Sequence, residues 1–329
     1  MGGRSLARAL VAAVIVGAIA LGCGDAFAAS ISLSTRPVTL DPTDRAVQQV
    51  GRLHYLGGLD LRSDASAFGG LSGLHVTDDG RLTAVTDRGH WFTARIVRDR
   101  SGRLMDLADA ALGPLLDPQG RPVAGAWRDA EALEHLPGGD WLASFEGRHR
   151  VWRYAAATGG LQGRSVPFPT PKGIAAAPAN GGLETLTPLP DGRVLMLAES
   201  LRRAGGSRAG WLVGGGKIEP LGYRTERDFK PTDAALLPNG DVLVLSRYFK
   251  LLGGFKARLD RVPAGAIESG AVLKGELLAR FAPPLTVDNF EGVAVARDAD
   301  GRALVYILSD DNFHFLQRTL LLLFRLDDP

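Results

Sequence analysis

Apolar positions in this chain alternate with polar ones or run continuously over short stretches, and Asp, Asn, Pro and Gly turns separate the stretches. Two such runs around a tight turn predict an antiparallel hairpin. Ser72-Gly73-Leu74-His75-Val76 leads through Asp78-Asp79-Gly80 to Leu82-Thr83-Ala84-Val85-Thr86-Asp87. Glu131-Ala132-Leu133 leads through Pro137-Gly138-Gly139 to Trp141–Glu146, and Glu184-Thr185-Leu186 through Pro190-Asp191-Gly192 to Val194–Glu199. Ser72 to Gly80, Glu131 to Gly139 and Glu184 to Gly192 each span 8 residues, and Gly80 to Asp87, Gly139 to Glu146 and Gly192 to Glu199 each span 7. A fourth copy, Asp233 to Gly240 to Arg247, keeps 7 and 7. The fifth is stretched, with 10 residues from Glu291 to Gly301 and 9 from Gly301 to Asp310.

Successive leading positions at 72, 131, 184, 233 and 291 lie 59, 53, 49 and 58 residues apart. That period is longer than the roughly 40–45 residues of a WD-type blade and nearer the roughly 50 of a kelch-type one. A helical solenoid would need apolar positions at helical spacing, which these segments lack. The pattern therefore predicts an all-β fold, a β-propeller of about four strands per blade. Six blades are expected, five of them carrying the visible hairpin. The strand at 52–61 is expected to pair with C-terminal strands and close the ring, and the gap between Arg88 and Glu131 to hold irregular structure or an insertion.

Composition narrows the class. The 329 residues are 45% hydrophobic and 22% charged, with 42 Gly and 19 Pro, as suits a globular fold of many strands and turns. A net charge of +2 gives no electrostatic case for a nucleic-acid partner. Residues 1–28 read as a signal peptide: Arg4 and Arg8, an apolar run from Ala9 to Leu21, and a small-x-small site at Ala26-Phe27-Ala28. The 13-residue apolar run is short of the roughly 20 residues of a membrane span. The only cysteine, Cys23, falls inside the signal segment, where Ala20-Leu21-Gly22-Cys23 also resembles a lipoprotein box with Ala20 in place of the usual Leu. Residues 29–50 are then an extended lead-in and 51–329 a single propeller domain, a periplasmic or secreted monomer with no transmembrane segment in its mature form. Cleavage after Ala28 would leave no thiol, so stability would rest on core burial or bound metal.

The candidate chemistry follows from the repeat. Equivalent positions of the innermost strands ring a propeller's channel. The leading positions Glu131, Glu184, Asp233 and Glu291, with Ser72, and the closing positions Asp87, Glu146, Glu199, Arg247 and Asp310 should therefore cluster. Carboxylates around one axis repel unless a cation neutralises them. An all-oxygen set points to calcium rather than zinc. The expected metal ligands are Glu131, Glu184, Glu291, Asp310 and Asp233, with Asn180 and Asn289 as neutral donors. Arg88, Arg148, Arg247 and Lys230 stand beside the acids and suit an anionic ester. The expected catalytic set is His149 as general base, Arg148, Arg247, Arg88 and Glu146. His314 is a second candidate base, whereas His54, His75, His90 and His135 read as surface or packing residues. Each acid can instead serve only to cap blade backbone, and each Arg only to neutralise its neighbour. A nucleophile elbow, a phosphate loop and a dinucleotide fingerprint are all absent from the sequence.

The segments FGGLSGL, TDRG, AEAL, SFEGRHRV, NGGLETL, LPNGDVLVLSR and DNFEGVAV…LSDDNF, in that order over roughly Leu53 to Leu326, resemble the phytase-like ("esterase-like activity of phytase") family of exported bacterial proteins. Glu131, Glu146, Glu184, Asp233, Arg247, Glu291 and Asp310 are the matching positions. The resemblance implies a propeller with a phosphoester or ester hydrolase role. A metal-dependent hydrolase acting on a small anionic ester at the channel mouth is the expected function. The alternatives are a binding propeller with a structural calcium ion, recognising a ligand or partner without catalysis, and a lactonase-like calcium propeller.

Overall fold

The computed structural model describes residues 28–327. The signal peptide and Cys23 expected from the sequence lie outside them, apart from Ala28. Five sheets stand around one axis, antiparallel except where the edge strand Val272–Lys274 joins blade III in parallel. Blade I runs outward from Leu71–Val76 through Arg81–Thr86 and His90–Arg98 to Leu104–Pro114. Blade II is Ala130–His135, Trp141–Phe145, Arg150–Tyr154 and Ser165–Phe168. Blade III is Leu183–Pro188, Val194–Arg202, Arg208–Gly214 and Lys217–Arg224. Blade IV is Lys230–Leu236, Val242–Lys250, Gly254–Val262 and Glu276–Phe281. Blade V is Asn289–Arg297, Ala303–Asp310, Thr319–Leu326 and Leu53–Arg62.

The five inner hairpins share one turn. The residue three before each turn glycine accepts that glycine's N–H and donates its own N–H to the carbonyl one residue beyond the glycine, as with Thr77, Gly80 and Arg81. Gly80, Gly139, Gly192, Gly240 and Gly301 all take φ of +80 to +90, which a side chain would strain. The turns therefore fix the register from which the rest of each blade is counted.

Burial on both sheet faces explains the continuous apolar runs: Ala303–Asp310 is buried along its whole length. Five separate apolar clusters fill the five gaps between adjacent blades. At about 25 cal/mol per Å² of apolar surface, these interfaces are the main stabilising term of the ring.

The expected count of six blades is corrected to five. The stretches outside the visible hairpins complete those five blades. Between Arg88 and Glu131, the strands His90–Arg98 and Leu104–Pro114 are the outer half of blade I. Leu53–Arg62 pairs with Thr319–Leu326, from Leu61 opposite Thr319 to Leu53 opposite Leu326, and so joins the two ends of the chain in blade V. The lead-in is extended and adds edge strands, Ala29–Ser30 on blade I and Ser34–Val38 on blade V. Among the described residues no helix is long and apolar enough to cross a membrane.

Candidate functional site at the channel mouth

Each inner hairpin carries a β-bulge near the end remote from its turn. The register shifts at Gly73, Glu184, Thr232 and Glu291, while in blade II Glu131 and Ala132 together stand opposite Ser144. A bulge re-aims the extra residue, and three of these residues are glutamates aimed into the channel. One step beyond the bulge, the closing positions face a fixed partner. Asp87 N–H donates to the Gly70 carbonyl, Glu146 N–H to Asp129 and Glu199 N–H to Gly182, while Arg247 pairs with Lys230 and Asp310 with Asn289.

The result is a cavity of about 350 Å³. Blade I contributes Asp87, blade II and the residue before it Asp129, Glu131 and Glu146, blade III Glu184 and Glu199, and blade V Glu291 and Asp310, while Ser72, Asn180 and Asn312 add neutral groups. Only Lys230 and Arg247 bring positive charge to it. Arg247 lies between two acids, 3.2 Å from Glu199 Oε1 and 2.9 Å from Glu291 Oε1. Burial opposes its charge, but Glu291 and Glu199 outweigh that and hold the guanidinium protonated. Lys230 Nζ donates to Glu199 Oε2 at 2.9 Å and to Ser200 Oγ at 3.1 Å. Glu146 Oε1 accepts from the N–H groups of Gly181 and Gly182, which anchors it across the blade II–III boundary.

Two cations do not balance this many acids, and the carboxyl groups respond. Burial, then the charges of Asp310 and Asp129, pushes Asp87 up to about 9. Burial raises Glu291 to about 8 although Arg247 pulls the other way, and raises Asp310 to about 7 against the Asn312 N–H. Glu131 and Glu184 are driven well above the carboxylate range by burial and then by Glu146 and Glu131, respectively. Burial also raises Glu146, against the Gly182 and Gly181 N–H groups, and raises Asp129. Oxygens of Asp87, Asp129 and Glu131 come within 4.8 Å of one another. Glu291 Oε2 and Asn289 Oδ1 are buried without a hydrogen-bond partner.

Among the residues singled out from the sequence, Glu131, Glu146, Glu184, Glu291, Asp310 and Arg247 meet in this cavity. Asp233 does not. In blade IV the bulged residue is Thr232, which leaves Asp233 back in register, with Oδ2 accepting from Val293 N–H at 2.8 Å and Oδ1 from Ala234 N–H. It ties blade IV to blade V. Arg88 stacks 3.5 Å from the Phe313 ring centre and donates to the Ser66 carbonyl, and Arg148 stacks 4.0 Å from that of Trp127. Both sit outside the cavity wall. His149 does not line the cavity: its Nε2 lies 3.1 Å from the Pro178 carbonyl, and its buried Nδ1, without a hydrogen-bond partner, packs against Gly182. Asp288 pairs with Arg318, and Asp311 accepts from the Gly70 N–H.

Sequence reasoning left Asp129 out altogether. It stands opposite Glu146, where other blades place Gly70, Gly182, Lys230 and Asn289. Its position two residues before Glu131, opposite a closing position, was the available signal.

Comparison with known proteins completes the picture. The family model described as Phytase-like, esterase-like activity of phytase, matches residues 66–313. No curated protein matches the chain. Similar solved structures include a putative gluconolactonase, 12% identical with a TM-score of 0.44 over 90% of this chain and 94% of that one. The α-L-arabinofuranosidase PaAbf62A from Podospora anserina, in complex with cellotriose, is 12% identical with a TM-score of 0.49 over 83% and 97%. A luciferin-regenerating enzyme is 10% identical with a TM-score of 0.41 over 79% and 93%. Likeness this distant carries no argument about activity.

Proposed function

We propose, on the premise that the chain belongs to the Phytase-like (esterase-like activity of phytase) family, that the acid-lined cavity binds a divalent cation and hydrolyses an anionic ester, phosphoesters first. The carrying observation is the charge imbalance of the cavity, with acids from four blades against Lys230 and Arg247 alone. Two unit charges 4 Å apart interact by about 4 kcal/mol at an effective dielectric of 20. Crowding acids this closely is therefore costly without a cation.

Asp87, Asp129 and Glu131 supply the first three oxygens. The unpartnered Glu291 Oε2 and Asn289 Oδ1 of blade V offer two more. An all-oxygen set without imidazole or thiolate favours calcium. When bound, such an ion neutralises charge on the ester and polarises it toward attack. Lys230, half-exposed at the mouth, is the cation with spare capacity to meet an anionic group, because Arg247 is committed to Glu199 and Glu291. Glu146, fixed by two backbone N–H groups, and Glu184, whose buried carboxyl is driven well above the carboxylate range, form the pair suited to holding and moving a proton beside the reacting water. The same reading makes the protein an exported one, on the strength of Arg4, Arg8 and the apolar run after them.

A second reading, a structural ion in a binding propeller without catalysis, draws support from the absence of imidazole from the cavity lining among the described residues. The test is turnover of a panel of phosphomonoesters, phosphodiesters, carboxylic esters and lactones, with calcium and with chelator. Calcium-dependent turnover is expected, falling about 100-fold or more in Glu184→Gln while calcium still raises the melting temperature. A calcium-stabilised protein inert on the whole panel would establish the second reading instead.

A further inference from the structure

We infer that the face carrying the cavity mouth docks on an anionic lipid surface, with the blade IV hairpin tip and the loop after Asp310 entering it. The two features rise from strand ends that line the cavity. Arg247 lies in the wall, and its strand runs on to Lys250 before turning back at Gly254. Asp310 and Asn312 lie in the wall, and the segment 313–317 follows them. Blades IV and V are neighbours with a shared core, so the two projections rise from adjacent sectors of the rim, the second leaning toward blade I, where Phe313 stacks on Arg88.

Both projections end in large apolar side chains left in water. Leu251 is 87% and Leu252 102% exposed, and Phe315 is 89% and Leu316 73% exposed. Packing does not explain them. The hairpin below the tip is already closed by the Phe249–Phe255 pair, with ring centres 4.6 Å apart, and Gly253-Gly254 supply the turn. Two consecutive leucines at a tip therefore serve nothing inside the fold.

Charge beside the tips selects the occupant. Lys250 and Lys256 flank the Tyr248 ring at 5.5 and 5.8 Å. Arg227 is almost fully exposed on the loop between blades III and IV, with Nε 3.9 Å from Asp228 Oδ1, and Arg202 is exposed at the end of the second strand of blade III. Apolar spikes with cations and an aromatic ring just behind them match the layering of a membrane interface, acyl region first and anionic headgroups next. Two separate projections also suit a deformable lipid layer better than a protein surface, which would need two matching pits. This inference is independent of the hydrolase reading, because it concerns the rim and not the cavity.

Cys23, the only cysteine, lies in the segment read as a cleaved signal, so the mature chain 29–329 has no thiol and accepts one label at a chosen site. An environment-sensitive NBD probe would be placed at Leu252→Cys, at Leu316→Cys or, as a control on the turn at the opposite end of blade IV, at Asn239→Cys. Vesicles would be phosphatidylcholine with or without phosphatidylglycerol. NBD emission is expected to rise about threefold at 252 and 316, only with phosphatidylglycerol, and to stay flat at 239. Lys250→Glu with Lys256→Glu is expected to weaken the response at least about tenfold. A flat response at 252 and 316, an equal rise at 239, or burial of the probes through self-association without vesicles would overturn the inference.

Discussion

Arg247 shows how closely charge is balanced in this molecule. Its guanidinium is the only link between Glu199 and Glu291, and removing it leaves buried acids unpaired. Arg247→Met is expected to destabilise the calcium-free protein by about 3–5 kcal/mol in urea unfolding, with calcium restoring part of the loss. The acids also set a pH dependence. Asp87, Glu291 and Asp310 are raised to about 9, 8 and 7, so the folded state binds more protons than the unfolded one above their ordinary range. Stability of the calcium-free protein should fall as pH rises from about 4 toward 9, the reverse of the usual salt-bridged carboxylate. A melting temperature higher at pH 5 than at pH 8 without calcium, with the gap narrowed by calcium, is the expected outcome. No difference between the two pH values would contradict it.

At the scale of the strand and hairpin, the bulge decides which acids enter the site. The repeat was legible because its turn glycines are fixed by backbone geometry, and counting from them places Glu131 and Glu184 correctly. The same count fails in blade IV only because Asp233 was taken as the leading residue at a spacing of 7. Eight residues before Gly240 stands Thr232, which is the bulged one. An acid one residue out of register points to the neighbouring blade instead of the channel. Asp233→Ala should therefore cost about 1–3 kcal/mol of stability, from the lost bond to Val293, while leaving calcium affinity unchanged in calorimetry. Gly73 makes the complementary case: at φ +55, a Cβ there would lie 2.4 Å from the Leu133 nitrogen. Gly73→Ala should lower stability by about 2 kcal/mol or more by wedging blades I and II apart.

For the whole molecule, the all-β class, the repeated hairpin and the ring closure were all readable from alternation and turn chemistry. Blade number was not, because outer strands carry no motif of their own. His90–Arg98 and Leu104–Pro114 look like any connecting stretch until their pairing is seen. The roles of Arg88, Arg148 and His149 were equally hidden. Sequence places them beside the acids, but Phe313, Trp127 and the Pro178 carbonyl hold them outside the cavity. The five-bladed ring packs its inner strands around a narrow channel and so brings the acids of neighbouring blades into one cavity. Calcium titration of chelator-treated protein by calorimetry, wild type beside Asp129→Asn with Glu131→Gln, is the most direct measurement of what that cavity is for. Saturable binding in the wild type, weakened at least about tenfold in the double variant, is the expected result. Wild-type protein that takes up no calcium even at about 1 mM, near the weak end of calcium sites, would contradict it.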